Sequence, residues 1–568
     1  MSPVLQALAW SLVGVGVLLR LLMATHGQPF VSDEAGVVDR ALRMFADGPN
    51  PHWFLYPSLH LYAVAASEGA LFGVRWILGL SPTPDAFADW YFTDPRGVYV
   101  AARMWSVVAG SATLWVVYQL GVRLASPLVG LWAAVFLAVS PMHIYYSAIA
   151  KPDASMVLAM HAAGWLAVRF VQGEGRGLPW GAAILGGLGA TIKYPGGAAW
   201  FAAPVAMALR LHQGRPNVWT LLKNSMLLAV GAVLTFFAGT PFALVEPELV
   251  KRDLGGIFQT AQQGYPSMEG ITTWGMYLGD ALPQALSFAI LALAVLGLVG
   301  LVVSDWRSTV VAVTPAAAYA VPTFAATLAQ FGFVLPLLPT VCLCAGKGLE
   351  VMRSSLPWSA GQRLAVPGVL ILAFVSAPLL TSLCDQVRVQ RPTTQDVTVE
   401  WIREHLPTGA RILGTATGMS LPLTPERLSE LLAEATSDRP AGGARIRFLQ
   451  RISPPGSGYF FYDMQGYVPK SKTGIPQLME YDPEWITAHG FQYVVESEWK
   501  MKRFFRAPER YPLPFQFQRW LADKGELVFT THPGSRGWVD WRDNPMRLRE
   551  IEPWCGVSGG EFRVYRIK

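Results

Sequence analysis

The sequence predicts a mainly α-helical membrane protein of about eleven crossing helices, followed by one water-exposed α/β domain. Three observations predict this. The 568 residues are 52% hydrophobic and 15% charged, against about 25% charged in soluble domains, and the mean hydropathy is +0.32. Apolar runs of about 20 residues recur through the first two thirds of the chain, and in hydrocarbon only a helix satisfies its own backbone polar groups. Beyond residue 385 charges become frequent and no run is long enough to span.

The spans follow in order: 4–23, 98–121, 128–148, 153–172, 225–245, 284–303, 309–329, 332–350 and 366–385, with 179–211 as a closely coupled pair broken at Lys193-Tyr194-Pro195-Gly196-Gly197. The first run is read as a retained helix, because no Lys or Arg precedes it and no A-x-A cleavage site follows. With the N-terminus in the cytoplasm, Arg123, Arg169, Arg176, Arg210, Arg215, Lys223, Arg307, Lys347, Arg353 and Arg363 all fall on the cytoplasmic side. The net charge of +6 is therefore a topology signal, and a nucleic-acid partner is not expected. Residues 1–385 form the membrane module, with a first extracytoplasmic loop over about 24–97, and residues 386–568 form the soluble extracytoplasmic domain.

In that first loop Val37, Val38, Ala41, Leu42 and Phe45 share one helical face, while Asp39, Arg40 and Arg43 face away. The following LYPSLHLYAVAASEGALFGVRWIL is apolar but carries His60, Glu68 and Arg75, which suits an interfacial or re-entrant helix. The loop over 246–283 reads as irregular structure on a membrane surface. In the C-terminal domain, VEWIREHLPTGARILG reads as helix-turn-strand and FQYVVESEWKMKRFF as strand-helix, with no G-x-G-x-x-G or P-loop string to hold a nucleotide. Cys342, Cys344, Cys384 and Cys555 have no metal-ligand spacing, so no metal site is expected.

Ser32-Asp33-Glu34 follows the first span directly, and Lys151-Pro152-Asp153 opens another on the same side. Each has a structural explanation by itself, because Ser32 suits an N-cap, Pro152 a first helical position, and carboxylates the first turn of a helix. Together they place two acidic positions near Arg103, Lys151, Lys193 and His60 at one membrane edge. Arg103 lies inside a span, where an ionised side chain costs about 2.5–3.5 kcal/mol at mid-membrane, so it needs an anionic partner. Tyr56 and His60 straddle Pro57 on the apolar loop segment.

These residues carry a resemblance. Asp33-Glu34 after the first span, YPSLHLY, Arg103 in AARMWSVVAGSATLWVVYQLGVRL, SPMHIYYSAIAKPDASMVL, GLGATIKYPGGAAW and FVLPLLP resemble, in order and spacing, the polyprenyl-phosphate-sugar-dependent glycosyltransferases of the GT-C fold. That group includes the protein O-mannosyltransferases and lipid A aminoarabinose transferase. The resemblance covers about residues 1–350. Two positions depart from it: Phe331-Gly332-Phe333 stands where relatives commonly carry an Arg-Tyr or similar polar pair, and Tyr56 where many bacterial relatives have Lys.

The resemblance implies an integral inner-membrane enzyme that moves a sugar from a polyprenyl-phosphate carrier to a protein, lipid or glycan acceptor on the non-cytoplasmic side, with inversion. It implies Asp33 as general base, Glu34 supporting it or the sugar, and Asp153 orienting the acceptor, the sugar hydroxyls or a nearby cation. Arg103 would be the leading phosphate ligand, with Lys193 and Lys151 behind it and Tyr56 and His60 lining the pocket. The scheme requires no cofactor, although some relatives use a divalent cation. Two other readings stay open, a transporter or lipid flippase and a catalytically inactive accessory protein. The absence of repeated halves disfavours the first, and retention of the acidic and cationic positions disfavours the second.

Overall fold

The computed structural model describes residues 3–26, 32–211, 217–264, 272–355, 362–415, 417–437, 443–454, 456–464, 479–505, 508–509, 511–531 and 561–568. It divides into two compact units, one of Met1–Gly264 with Thr272–Gln386, and one built on Val387–Lys568.

The first unit opens with α1 (Pro3–Ala24), α2 (Ser32–Asp47), α3 (Ser58–Ile77), α4 (Pro84–Thr93) and α5 (Arg96–Leu124). Next come α6 (Pro127–Ala138), α7 (Pro141–Tyr146), α8 (Asp153–Val171), α9 (Trp180–Ile192), α10 (Ala202–Leu211), α11 (Val218–Gly239) and α12 (Pro247–Gln263). The helices Phe288–Ala325, Leu338–Ser355 and Gln362–Val389 complete it. Among the described residues, six helices are long and apolar enough to cross a membrane.

Three expectations change in detail. The single span expected over 128–148 is two helices, because Ser140 caps α7 and Pro141 occupies its first turn. The carbonyls left free at the end of α6 are met by side chains: Arg20 Nη1 donates to Ala138 at 3.0 Å and Nη2 to Leu137 at 3.2 Å, while Ser382 donates to Val139 at 3.0 Å. The spans expected at 284–303 and 309–329 join end to end in Phe288–Ala325, separated by non-helical Asp305. Residues 179–211 form the expected pair, α9 and α10, with the break taken up by a 3-10 segment over Tyr194–Phe201. The loop expected to be irregular over 246–283 contains α12, opened by Pro247 and closed by Gly264 at φ 67.

Small residues set the helix spacing. A Cβ on Gly121 would collide with Gly130 of α6, and one on Gly348 with the Leu293 carbonyl of the neighbouring helix, so these pairs meet backbone to backbone. In the loop layer, Val37, Val38 and Ala41 of α2 pack with Leu61 and Val64 of α3 against Val98 and Ala102 of α5. The expected apolar face of α2 thus forms, except that Phe45 is exposed. Glu68 of α3 is fully buried, and neither of its carboxylate oxygens has a hydrogen-bond partner among the described residues. Burial, and secondarily the Asp39 carboxylate, pushes it up to about 9.

The second unit carries a five-stranded sheet of order β2-β1-β3-β5-β4: β1 (Arg411–Gly414), β2 (Phe460–Asp463), β3 (Tyr493–Ser497), β4 (Gly525–Thr530) and β5 (Phe562–Ile567). The pairs β1–β2 and β1–β3 are parallel, with Ile412 opposite both Phe461 and Tyr493; β3–β5 and β4–β5 are antiparallel. The helix Thr394–His405 before β1 and the helix Glu498–Phe505 after β3 match the helix-turn-strand and strand-helix readings. Cys555 lies outside the described residues.

Two stability predictions follow from this packing. Gly348→Val should lower the unfolding temperature in detergent, overpacking of this kind costing about 1–3 kcal/mol, whereas Gly255→Ala on α12, where a Cβ meets nothing within 4 Å, should not. Equal losses would mean that helix spacing is not set at Gly348. The folded chain also holds the Glu68 proton to higher pH than the unfolded chain, so its stabilisation is complete below 4.5 and lost as pH rises toward about 9. Glu68→Gln should therefore match wild type near pH ~4 and unfold at a higher temperature near pH ~8; a difference independent of pH would count against a buried proton.

Candidate active site

The site is built on α5. Arg103, Ser106 and Gly110 lie on one face of this helix, at the three- and seven-residue spacing that stacks side chains along a helix. Arg103 meets the start of α2, Ser106 Oγ donates to the Lys151 carbonyl at 3.2 Å, and Gly110 leaves room for Ser147. The segment between α7 and α8 is thereby held against α5.

Arg103 and Glu34 are fully buried and form a bidentate pair, Nε to Oε1 at 2.7 Å and Nη2 to Oε2 at 3.1 Å. Arg103 Nη1 also donates to the carbonyls of Ala24 at 3.1 Å and His26 at 2.6 Å, and Glu34 Oε1 accepts from the Ala150 amide at 2.8 Å. This pair joins the end of α1, the start of α2 and the segment before α8. Arg103 was expected to be the leading phosphate ligand. Its three guanidinium nitrogens are spent on Glu34 and two carbonyls, and it has no exposed surface to offer a ligand. Glu34 is enclosed in the same way.

Asp33, one residue earlier, points elsewhere. Its side chain is 48% exposed, and Lys151 Nζ donates to its Oδ2 at 3.0 Å. Lys193, at the end of α9, donates to Asp153 Oδ1 at 2.7 Å. Asp153 is the first residue of α8, where the helix dipole favours an anion, and its Oδ2 is buried with no hydrogen-bond partner among the described residues. Asp33, Lys151, Asp153 and Lys193 thus make a row of alternating charge. Burial by itself lowers the Lys151 ammonium, but Tyr56, Asp153 and Asp33 around it outweigh that and hold it well above its usual range, so it stays charged.

Tyr56 and His60 reach the row from the first loop. The Lys193 ammonium lies 5.8 Å from the Tyr56 ring centroid. The strip carrying Tyr56 is pinned by main-chain bonds: Asp253 of α12 accepts from the Phe54 amide at 2.8 Å, Tyr194 donates to the Phe54 carbonyl at 2.8 Å, and Thr240 accepts from the Ser58 amide at 3.3 Å. His60 is buried beside Ala150, Asp153 and Lys193, and burial pushes its imidazole down to about 4, so it is neutral near pH ~7. The structure therefore brings Asp33, Asp153, Lys151, Lys193, Tyr56 and His60 together, with Glu34 and Arg103 behind them.

Two tyrosines absent from the sequence expectations also lie here. Tyr146 of α7 is within electrostatic reach of Lys151, and its hydroxyl fills the space a Cβ on Gly332 would need. Gly332 in place of a side chain is thus matched to a phenol from another helix. Tyr319 is within electrostatic reach of Asp153. Tyr146 stands inside the quoted SPMHIYYSAIAKPD string, whereas Tyr319 sits in an apolar run with no local signal.

With this geometry in place, the chain can be set beside known proteins. A family model described as dolichyl-phosphate-mannose-protein mannosyltransferase matches residues 96–243, which include Arg103, Lys151, Asp153 and Lys193. The oligosaccharyltransferase of Archaeoglobus fulgidus in the apo form shares the fold at 10% identity and a TM-score of 0.50, over 96% of this chain and 75% of that one. ArnT from Cupriavidus metallidurans bound to undecaprenyl phosphate aligns at 12% identity and a TM-score of 0.47, over 98% of each chain. The A. fulgidus oligosaccharyltransferase AglB, in complex with an inhibitory peptide and a dolichol-phosphate, aligns at 10% identity and a TM-score of 0.47, over 97% of this chain and 76% of that one. No curated protein matches the sequence. The chain shares the fold of the apo oligosaccharyltransferase, and six of its described helices are long and apolar enough to cross a membrane. Over residues 96–243 it is similar to the dolichyl-phosphate-mannose-protein mannosyltransferases.

Removing the buried carboxylate should be costly. Glu34→Gln leaves the Arg103 charge buried and uncompensated, a loss of about 3–5 kcal/mol for a pair of this kind, seen as a large fall in unfolding temperature in detergent. A variant as stable as wild type would mean that the pair does not hold these segments together.

Proposed function

We propose that the protein transfers a sugar from a polyprenyl-phosphate carrier to a nucleophilic acceptor on the non-cytoplasmic side of the membrane, with inversion at the anomeric carbon. The observation that supports this reading best is the alternating row Asp33–Lys151–Asp153–Lys193, set at helix ends in a GT-C fold. Such a row offers what the reaction needs, a base for the acceptor and cations for the phosphate.

Asp33 is the general base. It is the acidic group of the row most open to solvent, and so to an arriving acceptor. It takes the acceptor proton as the acceptor atom bonds to the anomeric carbon; the bond from that carbon to the phosphate oxygen breaks, and its electron pair leaves on the polyprenyl phosphate. Lys151 and Lys193 meet the phosphate. Asp153, held by Lys193 through one oxygen, has a second oxygen for a hydroxyl of the sugar or acceptor. Tyr56 and neutral His60 line the pocket. Arg103 and Glu34 position these groups rather than touch substrate. The sugar is a hexose or pentose, and the acceptor a protein, lipid or glycan group.

Asp33→Asn should abolish transfer of labelled sugar from a polyprenyl-phosphate sugar by the detergent-purified protein. Lys193→Met should raise the donor KM by about tenfold, the scale of one charge-assisted hydrogen bond. Full activity in Asp33→Asn would remove Asp33 as base. The assay needs no second compartment, so absence of transfer by wild type in detergent would instead favour transport.

A further inference from the structure

The row raises a question of charge. In the described structure both lysines are already engaged with carboxylates, Lys151 with Asp33 at 3.0 Å and Lys193 with Asp153 at 2.7 Å. A carboxylate that receives a hydrogen bond from an ammonium is a weaker base than one facing water. The pairing that supplies the phosphate cation thus also restrains the proposed base.

We infer that Lys151 is a shared cation that passes from Asp33 to the donor phosphate, so that donor binding and bond cleavage release Asp33 to accept a proton. The inference rests on the proposed function and assigns Lys151 a coupling role there. Three features of the geometry lead to it. Lys151 is shared by two carboxylates: it bonds Asp33, and Asp153 also acts on it electrostatically. Its carbonyl is fixed to Ser106 of α5, and its four-carbon stem lets the ammonium shift while the main chain stays in place. The Asp153 carboxylate, whose Oδ2 is buried with no hydrogen-bond partner among the described residues, gives Lys151 a further anion to retain when it leaves Asp33.

The charges balance at each stage. A polyprenyl-phosphate sugar is a diester with one negative charge on its phosphate. As the acceptor attacks, its proton moves to Asp33, which becomes neutral, and the electron pair of the broken bond moves to the phosphate, which gains a second negative charge. Negative charge leaves Asp33 and appears on the phosphate in the same step. A lysine that follows it binds the transition state more strongly than the ground state, which is the condition for catalysis. Fixed pairing of Lys151 with Asp33 would oppose both transfers.

The test is a double-mutant cycle on binding of a short-chain polyprenyl phosphate to the full-length protein in detergent, which needs no turnover. Asp33→Asn removes the competitor for Lys151 and should tighten binding by about tenfold, the scale of one charge-assisted hydrogen bond. Lys151→Met should weaken binding, and in that background Asp33→Asn should change affinity by less than about twofold. Unchanged or weaker binding by Asp33→Asn overturns the inference. Full tightening that persists without Lys151 also overturns it, because the effect is then plain repulsion between Asp33 and the phosphate. Lys151→Gln repeats the cycle should Lys151→Met unfold. Failure of wild type to bind polyprenyl phosphate would defeat the proposed function itself, a result separate from either failure of the cycle.

Discussion

The site depends on the buried pair of Arg103 and Glu34. A guanidinium held within a membrane helix is tolerable only with its charge and its donors satisfied. Here Glu34 meets the charge with two hydrogen bonds, and carbonyls at the end of α1 take further donors. Because Glu34 also holds the Ala150 amide, one ion pair joins three segments far apart in sequence. The positions of Asp33 and Lys151 follow from it: the first is the neighbour of Glu34, and the second is the neighbour of Ala150.

The same arrangement separates holding from reacting. Glu34 and Arg103 are fully enclosed, while Asp33 is half-exposed and Lys151 and Lys193 lie at the edge of the protein interior. Alternation of sign keeps this cluster electrically balanced, so no ion is buried without an opposite charge beside it. His60 lies among these charges and is neutral, which leaves the lysines as the cations of the row.

Helix ends supply most of these groups. Asp33 lies in the first turn of α2, Asp153 opens α8, Lys193 ends α9, and Lys151 lies in the connection before α8. A membrane protein can keep polar chemistry in its apolar body at such points, because backbone donors and acceptors are free there and the chain is near the edge of the hydrocarbon. The break at Ser140-Pro141 serves this end. It turns what reads as one span into α6 and the short α7, and the loop that follows carries Lys151. Its Ser-Pro start signal is legible in the string, yet the continuous apolarity of 128–148 outweighs it when only hydropathy is considered.

Much of this was legible in the sequence. Apolar runs marked the long helices, since length and composition alone decide what can lie in hydrocarbon. Periodicity marked α2, and the order of Asp33, Tyr56, His60, Arg103, Lys151, Asp153 and Lys193 marked the residues that assemble. The sequence could not distinguish Asp33 from Glu34. Successive residues of a helix point about 100° apart, so one of the two must turn inward, and which one does is set by where α5 places Arg103. Nor could it decide between Arg103 and the lysines as groups open to a ligand, because that depends on how many donors the folded chain consumes. Composition and pattern thus determined the class of protein and the set of polar groups. Tertiary structure alone decided which of them are buried as supports and which are left to react, because burial and pairing are properties of neighbours distant along the chain.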